Sequence, residues 1–266
     1  MKKDTIQNHM ESNIHDKLQY LPKKIDTMEC TTIGNTSVTN CNMPTDTFNT
    51  VFSYEINEEE VKEVINYFQS KQLPMAWWLG PSAQKNSNAT ARMKNAGMVH
   101  DEVDIGMYCA IKDTKLDSMS VNPALEVKLC EYSEHFIDFG EVLSTIFDPV
   151  DEYVQRYYKI VSTLSTNMEK QKLFVGYVDG VAVTTGCVYL NEVAGIYDIA
   201  TRPDQQKKGY GSAMFHAIMC FIKEENYQYA TLQASEDGLN IYKRFGFTEI
   251  CKFHVWSNKS MLKTSE

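Results

Sequence analysis

Between Ile196 and Ala213 the chain reads Ile-Tyr-Asp-Ile-Ala-Thr-Arg-Pro-Asp-Gln-Gln-Lys-Lys-Gly-Tyr-Gly-Ser-Ala, and its residue types and spacing suit one chemistry. β-Branched and aromatic residues run to Thr201, Pro203 and Asp204 open a turn, and Met214, Ile218, Phe221 and Ile222 follow Gly211 at helical spacing. The pattern predicts a strand, a glycine loop and a helix. Glycines at 209 and 211 permit positive φ and close backbone approach. The first N–H groups of the helix have no intrahelical acceptor and sit at the positive end of its dipole. Such a junction binds an anion, and a pyrophosphate is its natural guest.

The spacing excludes the two commonest phosphate loops. A P-loop requires Gly-x-x-x-x-Gly-Lys-Ser/Thr, and a dinucleotide fold requires Gly-x-Gly-x-x-Gly with an acidic residue about twenty positions on. Gln206-x-x-Gly209-x-Gly211 after a strand instead resembles the acetyl-CoA signature of the GNAT superfamily of N-acyltransferases, Arg/Gln-x-x-Gly-x-Gly/Ala. A second motif agrees in order and separation: after a β-rich run from Tyr227 to Leu232 comes Ile-Tyr242-Lys-Arg-Phe-Gly-Phe247, similar to the superfamily's later Leu/Ile-Tyr-x-x-x-Gly-Phe.

The resemblance implies a mixed α/β fold and an acetyl-CoA-dependent N-acetyltransferase without a metal. It gives Ile199 and Thr201 the pantetheine amides. It gives Gln206, Lys207, Lys208, Gly209, Tyr210, Gly211 and Ser212 the pyrophosphate, and Tyr242 the proton for the departing thiolate. A phenol stays protonated at neutral pH and is a competent donor; the competing role for Tyr242 is packing against Phe245 and Phe247. Ser235 falls where many relatives carry a cofactor-touching asparagine, and Asn240 is the substitute. Where some members carry a base glutamate, eleven positions before Gln206, this chain has Gly195, which leaves Tyr197 or Glu192, acting through a water, or no base at all.

The elements that must position these groups follow from the same reading. Leu125 to Cys130 is a strand, Ser133 to Phe147 and Pro149 to Ser165 are helices, and Lys172 to Val178 with Val181 to Leu190 form a hairpin around Asp179-Gly180. The strand from Val193 to Thr201 leads into the loop. The order strand, helix, helix, three strands, helix, strand, helix, strand is the one the motifs imply. Phe147, Asp148, Tyr153, Tyr157 and Tyr158 sit on the segments that form the acceptor wall in such folds, or else on an amphipathic core face.

The earlier part of the chain repeats the back half of that order. Residues 27 to 47 read as loop with short irregular strand, Phe48 to Ile56 as a strand, and Asn57 as the cap of a helix with an acidic first turn. A second helix is expected from about Asn86 to Asn95 and a strand over Ile105 to Ile111. Trp77-Trp-Leu-Gly-Pro-Ser82 and Gly97-Met98 resemble the degenerate N-terminal half of tandem GNAT proteins, with Met93 in the place of the tyrosine and no phosphate loop. The expected organisation is a smaller degenerate GNAT-like domain over 1–115, a polar linker over 116–124 and a catalytic GNAT domain over 125–266.

Composition bounds the partners. A net charge of −9 and a pI near 5.2 argue against nucleic acid. Seven cysteines without metal-ligand spacing imply reduced thiols in a cytoplasmic setting, with Cys109, Cys187 and Cys220 as small buried hydrophobes. No apolar run reaches the roughly 20 residues of a membrane span, and Met1-Lys-Lys-Asp-Thr is no signal peptide. The acceptor is expected to be a small-molecule or peptide amine. The rival readings are transfer of a longer acyl group and a catalytically silent acetyl-CoA sensor or scaffold.

Overall fold

The computed structural model describes residues 2–85, 88–164 and 168–262, and it divides into two compact units. Unit 1 comprises Met1–Gly106, Ala234–Glu236 and Ile250–Glu266; unit 2 comprises Met107–Gln233 and Asp237–Glu249.

The first unit opens with a helix the sequence reading did not anticipate, α1 (Lys3–Tyr20). Its apolar stripe is only Ile6, Met10 and Ile14 at i, i+4 and i+8, and it buries the polar Glu11 and Asn13 beside them. The region read as loop with short irregular strand holds a regular antiparallel hairpin, β1 (Glu29–Ile33) and β2 (Thr36–Asn40), turning at Gly34 with φ of 58°. Its threonines favour strand while offering no apolar alternation to read.

Then follow β3 (Thr50–Ser53), α2 (Glu58–Ser70), β4 (Ala76–Leu79) and the short α3 (Pro81–Gln84). α4 (Ala89–Asn95) comes next; the predicted start of that helix, at 86–87, lies outside the described residues. Asn57 caps α2 as expected, accepting a hydrogen bond from the Glu59 N–H at 2.9 Å. α2 buries Val61, Val64, Ile65 and Phe68 in a core with Trp77, Met93 and Trp256.

β5 (Val99–Ala110) begins six residues earlier than expected and passes from the first unit into the second. The polar stretch beyond it holds a 3-10 turn, Leu116–Ser118, whose leucine is buried.

In the second unit β6 (Glu126–Leu129) precedes α5 (Ser133–Ser144) and α6 (Glu152–Val161), both shorter than their apolar patterns. Ser165, the predicted end of the second helix, lies outside the described residues. β7 (Gln171–Val178) and β8 (Val181–Leu190) form the expected hairpin, with Asp179 and Gly180 at φ of 50° and 77°, as a two-residue primed turn requires. β9 (Ala194–Thr201), α7 (Tyr210–Glu224), β10 (Tyr229–Ala234), α8 (Leu239–Arg244) and β11 (Thr248–Ser257) complete the chain.

Strand order is β1-β2-β3-β4-β11-β5 in the first unit and β5-β10-β9-β8-β7-β6 in the second. β3 with β4 and β9 with β10 run parallel. The α/β class with mixed sheet holds.

The two faces of the second unit's sheet can be assigned from register. Gly186 lies under Ile218 and Met214 of α7, and Phe174 meets Phe221 at 5.2 Å. Val188 and Ile196, paired with each other, therefore face α7, as does Leu232 opposite Ile196. The alternate residues Cys187, Tyr189, Tyr197, Thr231 and Gln233 belong to the opposite face, which α5 covers at β8 and β9.

The ends of α4 and α8 repeat one device. Met98 N–H donates to the Met93 carbonyl and Phe247 N–H to the Tyr242 carbonyl, both at 3.1 Å. Gly97 and Gly246 sit at φ of 84° and 87°. Both are Schellman ends with glycine in the left-handed region. Met93 thus stands in the first unit where Tyr242 stands in the second.

Candidate active site

Residues 203–212 form the loop that the spacing predicted. A 3-10 turn at Pro203–Gln205 leads to Gln206, then Lys207 at φ of 61° and Gly209 at φ of 85°, and α7 begins at Tyr210. Its first carbonyl acceptor is Gly209, reached by the Ala213 N–H at 3.0 Å, so the N–H groups of Tyr210, Gly211 and Ser212 have no intrahelical acceptor. Alternating left-handed residues of this kind turn successive N–H groups toward one anion.

The two glycines do different things. A Cβ on Gly209 would meet only the Asn122 Cβ, at 3.7 Å, so its space is open and its φ is what demands glycine. Gly211 is helical, contrary to the expected positive φ; a Cβ there would lie 3.1 Å from Thr201 Oγ1, so its smallness lets the helix start close to the strand end.

Several side chains hold the loop in place. Gln206 donates to the Thr201 carbonyl at 3.3 Å, and Lys208 Nζ donates to Gln205 Oε1 at 2.8 Å. Asn122 donates to the Lys208 carbonyl at 2.8 Å and accepts from the Ala124 N–H at 3.0 Å. Arg244 on α8 donates to Ser212 Oγ at 3.2 Å, which puts an exposed guanidinium at the start of α7. Sequence reasoning missed Asn122 and Arg244. The one available signal was the position of Arg244 inside the Tyr-Lys-Arg-Phe-Gly-Phe motif.

The strand entering the loop is open on one side. β9 and β10 pair in parallel register from Ala194↔Ala230 to Ile196↔Leu232, and among the described residues the ladder goes no further, although β9 runs on to Thr201. The backbone of Ile199 and Thr201 therefore lies beyond the last β9–β10 pair. On the β8 side the ladder continues to Thr201↔Thr184, broken by a bulge at Asp198, whose φ is 53°. Thr185 Oγ1 donates to the Asp198 carbonyl at 2.9 Å and Thr184 Oγ1 to the Ala200 carbonyl at 2.6 Å, which fixes the bulge. Ile199 turns toward α7 beside Gly186, and Asp198 lies on the opposite face. There its charge, after burial, helps raise the Tyr158 phenol well above its ordinary range.

Tyr242 lies on α8 with its ring half-buried against Phe215 at 5.0 Å and Phe247 at 6.4 Å. The ring packs against both and keeps some exposure. Tyr197 is half-buried on β9, whereas Glu192 is exposed in the turn at the other end of that strand from Thr201. Ser235 and Asn240 are both exposed at the passage from β10 to α8. Cys109 and Cys187 are buried, and burial pushes the Cys109 thiol up to about 11. Cys220 is only half-buried, beside His216, rather than a core residue.

Among the described residues the first unit offers no comparable opening. β3 and β4 pair to their last residues, Ser53↔Leu79, and Trp77 Nε1 donates to Ser53 Oγ at 3.0 Å across that pair. α2 starts with Glu58, Glu59 and Glu60, a first turn that repels phosphate. The buried carboxylate of Glu11 accepts from the Ser82 N–H at 2.8 Å and the Ser82 hydroxyl at 2.5 Å. Among the described residues no group of three or more His, Cys, Asp or Glu side chains is arranged to hold a metal, and no helix is long and apolar enough to cross a membrane.

Comparison with known proteins agrees with this geometry. Residues 169–249 match the family described as Acetyltransferase (GNAT) domain. A GCN5-related N-acetyltransferase from Kribbella flavida is similar in structure, with a TM-score of 0.69 at 13% identity over 97% of this chain and 99% of that one. A conserved protein of unknown function from Staphylococcus epidermidis gives 0.64 at 14% identity, over 88% of this chain and 95% of that one. A tandem GNAT protein from the clavulanic acid biosynthesis pathway gives 0.59 at 10% identity, over 88% and 83%. No curated protein matches the sequence. Residues 169–249 therefore carry a GNAT acetyltransferase domain, of a family whose general reaction is acetyl-CoA-dependent transfer, and nearly the whole chain has the GNAT fold.

Proposed function

We propose that the chain transfers an acetyl group from acetyl-CoA to a primary amine in a direct ternary complex, with the region after residue 125 catalysing and residues 1–115 serving as a degenerate partner domain. The observation that carries this reading is the end of the β9–β10 ladder at Ile196↔Leu232, placed directly before the left-handed loop and the N-terminus of α7. An extended, amide-bearing arm with a pyrophosphate at one end fits that combination: strand-like hydrogen bonds for the arm, N–H groups for the anion.

In this reading Ile199 and Thr201 offer backbone groups to the pantetheine. Lys207 to Ser212 offer N–H groups to the pyrophosphate, and Arg244 adds the charge. The amine nitrogen attacks the thioester carbonyl carbon, a C–N bond forms and the C–S bond breaks, and Tyr242 gives its proton to the departing sulfur. The amine's own proton leaves to solvent or through Tyr197. Glu192, exposed in the turn before β9, is the alternative acting through a water. Ser235 and Asn240 are accessible enough to touch the donor. The chain then works as a cytoplasmic enzyme on a small-molecule or peptide amine.

Calorimetry with acetyl-CoA, followed by an amine screen that reads free thiol, tests the proposal. Binding with amine-dependent thiol release supports it. Binding without release for any amine favours the sensor reading, and no binding refutes both.

A further inference from the structure

The face of the sheet opposite α7 carries polar atoms that the fold itself does not use. Thr231 is fully buried and its hydroxyl has no hydrogen-bond partner among the described residues. Gln233, two residues on and on the same face, has both its amide oxygen and its amide nitrogen shielded from solvent and without a partner. Native proteins leave few such groups, because each forfeits its hydration for nothing. Thr231 and Gln233 are neighbours on one face of one strand, so a single bound group can satisfy both.

Their position says what that is. Leu232 is the last residue of β10 paired with β9, so Gln233 stands immediately past the point where the two strands cease to pair. It faces away from α7, on the side that α5 covers at β8 and β9, together with Tyr197 and the bulge residue Asp198. The left-handed loop and the N-terminus of α7 follow the Thr201 end of β9.

We infer that Gln233 selects the acceptor, and that the acceptor is a primary amine carrying a second hydrogen-bonding group of the carboxamide or hydroxyl class. A side-chain amide offers one acceptor oxygen and two N–H donors, so its complement is a group that both gives and takes hydrogen bonds. A site built to hydrogen-bond a substrate rejects the isostere that lacks the group far more strongly than an apolar pocket rejects an extra methylene. The negative charge of Asp198 on the same face favours a cationic acceptor. This inference rests on the acetyl-transfer reading above.

The experiment compares 4-aminobutanamide with n-hexylamine, two primary amines of equal heavy-atom count, in the thiol-release assay with acetyl-CoA, for wild type and Gln233→Leu. Wild type is expected to favour the carboxamide roughly tenfold or more in kcat/KM. Gln233→Leu is expected to bring the ratio near one while leaving acetyl-CoA affinity within about twofold by calorimetry and the melting temperature undiminished, since it removes buried polar atoms without partners. Gln233→Met serves as the second variant should leucine fail to fold. Equal use of the two amines by wild type, survival of the preference in the variants, or acetyl-CoA binding with turnover of neither amine would each overturn the inference. Failure of acetyl-CoA to bind at all would instead remove the reading beneath it.

Discussion

Removal of the Arg244 guanidinium tests whether α8 contributes charge to the donor site. The side chain is exposed and makes a 3.2 Å hydrogen bond to Ser212 Oγ in the first turn of α7, where the unpaired N–H groups gather. A unit charge about 4 Å from a phosphate contributes from roughly 1 kcal/mol in bulk water to roughly 4 near a protein surface. Exposure argues for the lower part of that range. A loss of about 1–2 kcal/mol corresponds to a Kd roughly 5–30-fold weaker. Calorimetry on Arg244→Ala and Arg244→Lys at low ionic strength should show that loss for alanine and a smaller one for lysine. At about 0.5 M salt the difference should shrink, because the charges are screened beyond a few ångströms. The melting temperature should hardly move, since an exposed substitution with one long hydrogen bond stays within about 0.5 kcal/mol. Acetyl-CoA binding by Arg244→Ala within twofold of wild type at low salt would refute the assignment and return the charge to Lys207 or Lys208.

Four further outcomes are expected. Gly211→Val should abolish acetyl-CoA binding, because even a Cβ at that position lies 3.1 Å from Thr201 Oγ1 and a branched side chain must push the helix start off the strand; unchanged affinity in a folded variant would contradict the geometry. Titration should fill one acetyl-CoA site per chain, and two equivalent sites would show that the acidic start of α2 had been misjudged. Tyr242→Phe should keep binding while turnover falls by about 10²–10⁴, whereas near-normal turnover with chemistry limiting would leave the ring only its packing against Phe215. Burial, with Glu102 beside it, raises Asp104 in the first unit from 3.8 to about 7. A carboxyl raised on folding stabilises the protonated native state, so its contribution is complete below about pH 4 and is lost as pH climbs through about 7; Asp104→Asn should flatten the denaturant midpoint across that interval, and an unaltered pH profile would speak against it.

What the sequence disclosed was what local spacing can carry. Gln206, Gly209 and Gly211 sit within six positions, and the conformation they enforce depends on neighbours a few residues away. The Asp179-Gly180 turn and the Asn57 cap were legible for the same reason. The hairpin of β1 and β2 escaped because its threonines show no contrast between faces, and α1 escaped because three apolar residues share their face with a buried glutamate and asparagine. Arg244 and Asn122 reach the loop and helix start across 32 and 86 residues of chain, contacts to which periodicity is blind. Asp198 was legible as a residue but not as a bulge, since the register shift against Gly186 is set by β8.

The two halves of the chain show why one opening persists and its counterpart is closed. Both place a parallel strand pair beside a helix, and both end the following helix on a glycine Schellman turn, at Gly97 and Gly246. In the first, the strands stay paired to Ser53↔Leu79, an indole N–H bonds across the pair, and three glutamates begin the helix. In the second, pairing stops at Leu232, a left-handed loop replaces the acidic turn, and an arginine approaches the helix start. A closed pair satisfies its own backbone and contributes stability, whereas an open one leaves N–H and C=O groups that only water or a ligand can satisfy. The unpartnered amide of Gln233 lies just past the same break, so the open strand end and the unsatisfied side chain share one structural origin. In the proposed reading, donor and acceptor recognition both depend on that single interruption of the ladder. A second acyl site in the first half would require Ser53 and Leu79 to part, breaking the Trp77 bond in the centre of a fully buried core.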